Sequence, residues 1–307
     1  MQYIKISATG KYIPNRKIDN EELNKKFNLP QGWIEKRSGI KARYYSDEDI
    51  IQMAIHAVEN LIVKSNIDIN KIEQIYVATT SSKNLMPGIS FEIQKNFNIR
   101  NCICLDILGG CSGFINEFDI AQKYIASGNK TNALIIGVDK LSEFVMDDIN
   151  TSILLGDGAG AIYIEKTSNL KKYESYIESI GEKNEILTCN HLDGITMNGK
   201  EVYKFATTKT IENVQEVLKL ANMSIKDIDF IIPHQSNMRI LKSIEEKLKC
   251  NNNQMFINLE HIGNTFNASI PIALNEMIEK NILKECQKIL MIGYGGGLNL
   301  GSIIFEM

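Results

Sequence analysis

The chain has 307 residues, 44% of them hydrophobic, and a formal net charge of −3 at pH 7. This length allows one large or two fused domains, and a slightly acidic chain without a basic block is a poor partner for nucleic acid. No apolar run approaches the length of a membrane span, and the first residues lack the apolar core of a signal peptide, so we expect a cytoplasmic protein that does not bind membranes.

The six cysteines have no recognisable spacing. They lie at positions 102, 104, 111, 189, 250 and 286, without a CxxC pair. Structural zinc sites and disulfide scaffolds depend on such spacing. We therefore expect free thiols and no metal site.

Hydrophobic periodicity predicts alternating strands and helices. After a strand over residues 3–10, Asp19 and Glu22 form a capping box that opens a short helix. The later elements are a helix over 50–63, a strand over 72–80, a helix over 89–97, and strands over 103–107 and 133–138. Such alternation with buried strands indicates an α/β fold.

The only tryptophan, Trp33, lies in a basic segment with Lys36, Arg37, Lys41 and Arg43. A flat ring beside cations can hold a nucleotide or a phosphate group. A single aromatic residue anchored on a solvated basic face is the more common arrangement. The segment by itself leaves both interpretations open.

Cys111 lies where a predicted strand turns into a predicted helix. The strand reaches Gly109 and Gly110, and an amphipathic helical pattern begins at Phe114. Unpaired N–H groups at a helix N-terminus favour a thiolate over a thiol, and glycines allow a sharp turn. Cys111 is therefore a candidate nucleophile; the alternative is an inert buried thiol.

The chain repeats itself at an offset of 156 residues. Residues 57–76 match 213–232, and 134–137 match 290–293. We interpret the chain as two pseudo-repeated α/β halves, 1–167 and 168–307, with mixed, mostly parallel sheets covered by helices. Because ligands bind beyond the carboxyl ends of such strands, equivalent strand ends should face one common site.

Two polar residues of the second half fall at this expected site. A buried strand leads into His234, and Asn264 lies in the turn opposite the cysteine turn, since the offset maps Cys111 onto Asn267. A nucleophilic thiol needs a histidine for proton transfer or hydrogen bonding and a donor that polarises a carbonyl. We predict that Cys111, His234 and Asn264 converge.

Motifs along the chain together match a known family. They are Trp33-Ile-x-x-Arg-Ser-Gly-Ile40, Val77-Ala-Thr-Thr-Ser81, Gly110-Cys-Ser-Gly-Phe114, Gly156-Asp-Gly-Ala-Gly160, Pro233-His-Gln-x-Asn-x-Arg-Ile240, Gly263-Asn-Thr265 and Gly295-Gly-Gly297. On these residues the chain resembles β-ketoacyl-acyl-carrier-protein synthase III, a condensing enzyme of the thiolase superfamily. The resemblance implies a thiolase-like fold, a homodimer and a reaction without a cofactor.

The resemblance also implies a decarboxylative Claisen condensation. Cys111 would carry the acyl group as a thioester. His234 and Asn264 would assist decarboxylation of malonyl-acyl carrier protein and stabilise the enolate that attacks it, giving a 3-oxoacyl product. The backbone N–H groups of Cys111 and Gly297 would form the oxyanion hole.

Binding residues are implied in the same way. A phosphopantetheine arm of coenzyme A or acyl-carrier protein would enter past Trp33, Arg37, Tyr203 and Asn237. Met86 would lie at the acyl pocket and the dimer contact.

A basic helix is predicted after His234, over residues 237–248. Arg239 and Lys242 are three residues apart and share a face, which could dock an acidic carrier protein. The alternative is an ordinary solvated face, which Glu245 and Glu246 favour.

Three positions depart from the family pattern. Gly109 and Gly110 replace two alanines, no arginine lies near Asn150 to contact the adenine of coenzyme A, and residues 298–300 lack a tryptophan. The stretch 166–200 is also short for a loop that covers an acyl tunnel. Donor and acceptor therefore stay open. The alternative function is acyl transfer from Cys111 to a hydroxyl or amine without decarboxylation.

Two other classes of protein fit less well. Gly109-x-Cys-x-Gly113 matches a hydrolase nucleophile elbow, but that fold has no place for the internal repeat. A non-catalytic scaffold does not require all three polar partners.

Overall fold

Two large sheets, one from each half of the chain, organise the structure. The computed structural model describes residues 3–145 and 147–307. The strands of the first half are β1 (Tyr3–Tyr12), β2 (Arg16–Asp19), β3 (Ala42–Tyr45), β4 (Gln74–Ala78), β5 (Ile103–Ile107), β6 (Asn132–Asp139) and β7 (Gly158–Thr167). Its helices are α1 (Asn20–Phe27), α2 (Trp33–Ser38), α3 (Ile50–Val63), α4 (Ile89–Asn96), α5 (Gly113–Ala126) and α6 (Ile149–Ser152).

The second half contributes a smaller sheet and longer covering helices. Its strands are β8 (Tyr173–Ser179), β9 (Leu187–Asn190), β10 (Gly194–Met197), β11 (Phe230–Pro233), β12 (Lys288–Gly295) and β13 (Asn299–Glu306). Its helices are α7 (Gly199–Ala221), α8 (Met238–Leu248), α9 (Leu259–Ile262) and α10 (Ser269–Glu279). Within the described ranges, no helix has both the length and the apolarity to cross a membrane.

Both large sheets are mixed. Their strand orders are β1-β7-β6-β4-β5 and β11-β12-β13-β8. The pairs β4–β5, β4–β6 and β11–β12 are parallel, and the other four are antiparallel. The prediction of mixed sheets is confirmed, but the expected parallel majority is wrong. Strand β13 follows β12 after three residues, and a connection this short can only join antiparallel strands.

The sequence repeat is also a structural repeat. Strands β4 and β11, strands β6 and β12, and helices α5 and α10 begin 156 residues apart. Strand β5 has only a reduced counterpart, an isolated parallel bridge between Met255 and Ile231. The two pseudo-repeated halves are therefore present, and we keep the boundary between residues 167 and 168, which coincides with the end of β7, as a proposal.

Helices α5 and α10 lie between the two sheets. Helix α5 contacts β4 and β6 on one side and β12 and β13 on the other, and α10 contacts β1, β7 and β11. Phe114, Phe118 and Leu274 belong to one apolar cluster that includes residues of both sheets. Helices α3 and α4 cover the outer face of the first sheet, and α7 and α8 cover that of the second. The layers thus bring the N-termini of α5 and α10 together.

Local signals determine several element boundaries. The side chain of Asp19 accepts the backbone N–H of Glu22 at 3.0 Å, and α1 begins at the next residue. Helix α3 has the predicted bounds, 50–63. Gly128, just beyond α5, has a φ of 82°, which is typical of a glycine that ends a helix.

Candidate active site

Cys111, His234 and Asn264 line one cavity of about 450 Å³ between the two halves. Each side chain is less than a tenth exposed. Cys111 lies in the 3-10 turn between β5 and α5, His234 directly follows β11, and Asn264 follows α9. The structure therefore brings together the three residues that the sequence singled out.

A glycine makes the cysteine turn possible. Gly110 has a φ of 55°, and a Cβ atom there would lie 2.5 Å from the carbonyl oxygen of Gly296. Any larger residue would both strain the backbone and collide with the loop between β12 and β13. This loop from the second half thus packs directly on the nucleophile turn of the first half.

The environment of the Cys111 thiol differs from the expectation of a favoured thiolate. Burial raises the pKa of the thiol, and the carboxylate of Asp139 raises it further. The backbone N–H groups of Gly296 and Cys111 act in the opposite direction but are weaker. Desolvation of a buried charge exceeds the stabilisation from a helix N-terminus, so the protonated thiol is the resting form.

In the loop between β12 and β13, Gly296 supplies the backbone N–H group that acts on the Cys111 sulfur. Gly296 packs against Gly110, and Gly297 lies at the turn with a φ of 126°. The predicted role of Gly297 concerns a substrate oxygen and not this sulfur, so Gly297 as an oxyanion-hole donor stays a prediction.

His234 is held by its backbone and by its ring. Its backbone N–H donates to the carbonyl of Ile292 at 2.7 Å, and Nδ1 lies 2.8 Å from Oγ of Ser269. The ring of Tyr294 approaches it edge-on at 5.4 Å between centroids. Burial lowers the pKa of His234 to about 3, so the imidazole is neutral at pH 7.

The side-chain amide of Asn264 is oriented by a hydrogen bond to its oxygen. Its Oδ1 accepts the backbone N–H of Phe266 at 3.1 Å. This bond occupies the oxygen, so the NH₂ group remains as a donor toward the cavity. Asn264 can thus polarise a carbonyl, the chemistry that the sequence analysis assigned to it.

Sequence reasoning missed Asp139, a buried carboxylate at the end of β6 near Cys111. It accepts hydrogen bonds from the backbone N–H of Thr80 at 2.7 Å, from Oγ of Ser81 at 2.8 Å, and from both the backbone and the side chain of Asn267. Burial raises its pKa to about 6 against these donors. Asp139 ties the turn before α10 to the end of β4. The strand-end rule that selected His234 could have found it.

The predicted entrance residues do not all line the cavity. Arg37, Tyr203 and Asn237 do, together with Asn150. Trp33 does not, but the guanidinium of Arg37 stacks 5.1 Å from its ring centroid.

Of the predicted docking pair, Arg239 lines the cavity, whereas Lys242 is exposed on α8 outside it. Met86 is 85% exposed and lies outside the cavity of its own chain.

The short stretch 166–200 still covers the nucleophile. It forms β8 and the hairpin of β9 and β10, and Leu187, Ile195 and Met197 of that hairpin line the cavity. Phe266 completes an apolar wall beside Cys111. A wall of this kind suits an acyl chain.

Among residues 3–145 and 147–307, no group of three or more His, Cys, Asp or Glu side chains is arranged to hold a metal ion.

The depressed pKa of His234 predicts a specific loss of stability in acid. Below its ordinary pKa of 6.5 the unfolded chain binds a proton at His234 that the folded chain does not bind. The free energy of unfolding is therefore little affected by this group above pH 6.5, and the group lowers it by about 2 kcal/mol between pH 7 and pH 5. Urea unfolding of the wild type and of His234→Gln over this range measures it. The variant should show the smaller decline, and parallel declines would contradict the burial of a neutral imidazole.

A Cys–His–Asn cavity between two pseudo-repeated α/β halves defines a condensing enzyme of the thiolase fold. The protein-family model of 3-oxoacyl-[acyl-carrier-protein] synthase III matches residues 105–181, and the family model of its C-terminal region matches residues 218–307. Together these account for more than half of the chain.

Individual relatives agree over the whole length. The beta-ketoacyl-[acyl-carrier-protein] synthase III of Clostridium novyi (strain NT) is 36% identical, with 100% of this chain and 99% of the relative covered. That of Clostridium botulinum (strain Okra / Type B1) is 37% identical, with 99% and 98% covered. The crystal structure of the synthase III from Aquifex aeolicus VF5 is 34% identical, with a TM-score of 0.96 and 99% and 100% covered. The chain belongs to the β-ketoacyl-[acyl-carrier-protein] synthase III family.

Proposed function

We propose that this protein joins an acyl group, carried on Cys111, to malonyl-acyl carrier protein with loss of carbon dioxide. The observation that carries the proposal is the meeting of a buried thiol, a neutral histidine and an asparagine NH₂ group at one cavity. A carbonyl oxygen placed between the last two groups would receive two hydrogen bonds as negative charge develops on it.

The first step moves an acyl group onto the enzyme. The sulfur of Cys111 attacks the thioester carbonyl, and its proton leaves with the departing thiol. The tetrahedral oxyanion would face the backbone N–H groups of Cys111 and Gly297, the oxyanion hole that the sequence predicts. Since the thiol is protonated at rest, proton loss is part of this barrier.

The second step forms the carbon–carbon bond. The malonyl carboxylate leaves as carbon dioxide, and its electron pair passes into the enolate of the thioester. His234 and Asn264 donate hydrogen bonds to the enolate oxygen. The carbanion then attacks the carbonyl of acyl-Cys111, the C–S bond breaks, and the cysteine thiolate takes a proton from solvent. The product is a 3-oxoacyl thioester, and the net cycle needs no cofactor.

Basic residues at the entrance suit a phosphopantetheine arm from acyl-CoA or acyl-carrier protein. Arg37, Lys200 and Arg239 all line the cavity. A phosphodiester passing between guanidinium groups would gain charge-assisted hydrogen bonds. We also propose a cytoplasmic location, because all six cysteines are free.

The open edge of the first sheet supports a homodimer. Strand β5 is the last strand of its sheet, and Leu105 within it and Leu108 just after it are exposed. Leu85 and Met86 extend the exposed apolar residues in a neighbouring loop. An unpaired strand edge flanked by leucines is a surface that a second copy can cover. Met86 would then reach the acyl pocket of the partner subunit.

The test follows Cys111 and carbon dioxide separately. The enzyme is incubated with a panel of acyl-CoA thioesters, and intact mass reports acylation of Cys111. Malonyl-acyl carrier protein is then added, and carbon dioxide and the 3-oxoacyl product are measured. Acylation without carbon dioxide, followed by transfer to a hydroxyl or amine, would establish the non-decarboxylating alternative instead.

If the carrier protein docks on α8, reversing the positive charges of this helix should weaken its binding. Lys242→Glu, alone and with Arg239→Glu, should raise KM for malonyl-acyl carrier protein by about tenfold or more, with a steep dependence on salt, because acyl-carrier proteins are acidic. Because Lys242 lies outside the cavity, Lys242→Glu alone should leave the reaction of a short pantetheine thioester nearly unchanged.

The matched control is Lys219→Glu, an exposed lysine at the far end of α7. It makes the same charge change away from the entrance and should keep the wild-type KM. If Lys242→Glu impaired carrier and pantetheine substrates equally, α8 would serve the fold and not the carrier.

A further inference from the structure

We propose that Ser269 is a positioning residue that holds His234 as the tautomer with its hydrogen on Nε2. The inference rests on the proposed decarboxylation at the same site. It assigns to a serine outside the predicted catalytic set the task of orienting a catalytic group.

Ser269 is the first residue of α10 and is 3% exposed. Its Oγ lies 2.8 Å from Nδ1 of His234. The backbone N–H of Gln235 donates to the same Oγ at 3.4 Å. The hydroxyl thus bridges the histidine ring and the backbone immediately after it.

Hydrogen-bond accounting decides the direction of this bridge. A backbone N–H can only donate, so Oγ is the acceptor in its contact with Gln235. An acceptor for the hydroxyl hydrogen is then favoured, because a buried O–H without one carries a free-energy cost. Among the hydrogen bonds of the described residues, the other contact of Oγ is Nδ1 of His234. Ser269 therefore donates to Nδ1, and the ring hydrogen resides on Nε2.

This tautomer is the one that the proposed reaction needs. With Nδ1 as acceptor, Nε2–H is a donor, and His234 lines the cavity beside the NH₂ group of Asn264. Two donors can then meet one enolate oxygen. In the opposite tautomer, the Nε2 lone pair would face the enolate oxygen and repel it.

The first half of the chain has no serine at the position equivalent to Ser269. Its counterpart 156 residues earlier is Gly113, the first residue of α5. A Cβ atom at Gly113 would lie 2.8 Å from Oδ1 of Asn267, so a side chain there would have to displace the amide that Asp139 holds. The two helices therefore begin with different residues at equivalent positions, and only the second presents a hydroxyl, on the side where a histidine lies.

Nitrogen-15 NMR of histidine-labelled protein tests the tautomer directly. The chain has four histidines, and His234→Gln identifies the signals of His234 by their loss. The wild type should show a protonated Nε2 and an unprotonated, hydrogen-bonded Nδ1. Ser269→Ala should shift His234 toward a tautomer mixture. A wild-type ring protonated on Nδ1 would overturn the proposal.

Kinetics test the consequence. Ser269→Ala should lower carbon dioxide release by about 10- to 100-fold, less than the loss when an orienting carboxylate is removed from a triad histidine. Acylation of Cys111 should change by no more than about twofold, and Ser269→Thr, which keeps the hydroxyl, should restore most of the rate. Equal losses in both steps, or no loss in decarboxylation, would overturn the positioning role.

Ser302→Ala is the matched control. Ser302 is a buried serine of β13 whose Oγ has no hydrogen-bond partner among the described residues, so the change removes the same atom without a histidine contact. It should leave both the NMR signals and the rates unchanged. If the wild type had the Nε2–H tautomer but released no carbon dioxide, the proposed function would fail while the structural assignment of Ser269 would stand.

Discussion

Cys111→Ala should abolish condensation, with a loss of at least about 10³-fold in product formation. The reason is that Cys111 is the only cysteine among the described residues that line the cavity, and a thioester needs a thiol. Intact mass after incubation with an acyl-CoA should show the adduct on the wild type and none on the variant. Full condensing activity in Cys111→Ala would exclude a covalent mechanism at this residue.

Cys189→Ala is the control for this prediction. Cys189 packs against the same apolar cluster as Cys111, and burial raises its pKa to about 11. Its removal should cost about 1 kcal/mol of packing energy and leave acylation intact. Alkylation of Cys111 by iodoacetamide should accelerate about tenfold per pH unit above pH 7, because only the thiolate fraction reacts. A rate independent of pH would show that the thiolate is already favoured.

His234→Ala and Asn264→Ala should each lower decarboxylation by about 10² to 10³-fold, the usual effect of removing one donor to a developing oxyanion. Acylation of Cys111 should fall far less, because the backbone N–H groups of Cys111 and Gly297, the proposed oxyanion hole, remain in place. Carbon dioxide release and intact mass, measured on the same samples, separate the two steps.

The outcome distinguishes two kinds of histidine. A neutral donor to an enolate affects mainly the second step, whereas a base that activates the thiol affects acylation as well. Equal losses in both steps for both variants would therefore point to a hydrolase-like base and nucleophile. The pKa of His234, lowered by burial to about 3, favours the neutral donor at pH 7.

The local elements of this fold were predictable. Helix α3 begins and ends where the periodicity indicates, and Asp19 caps α1 through the amide three residues on. Caps and amphipathic faces depend on neighbours within a turn or two, so the signal is contained in short segments. The internal repeat also predicted a tertiary feature, because it implied that equivalent turns of the two halves would lie at one common site.

The sequence by itself determined the two α/β halves and selected Cys111, His234 and Asn264. Strand ends follow from hydrophobic periodicity and the repeat from a constant offset, and both depend only on the order of the residues. The tertiary structure decided that the backbone N–H of Gly296 acts on the sulfur, and it added Asp139 and Ser269 to the site. It also decided that the thiol is protonated at rest. These properties depend on burial and on contacts between residues 35 to 186 positions apart, which no local pattern encodes.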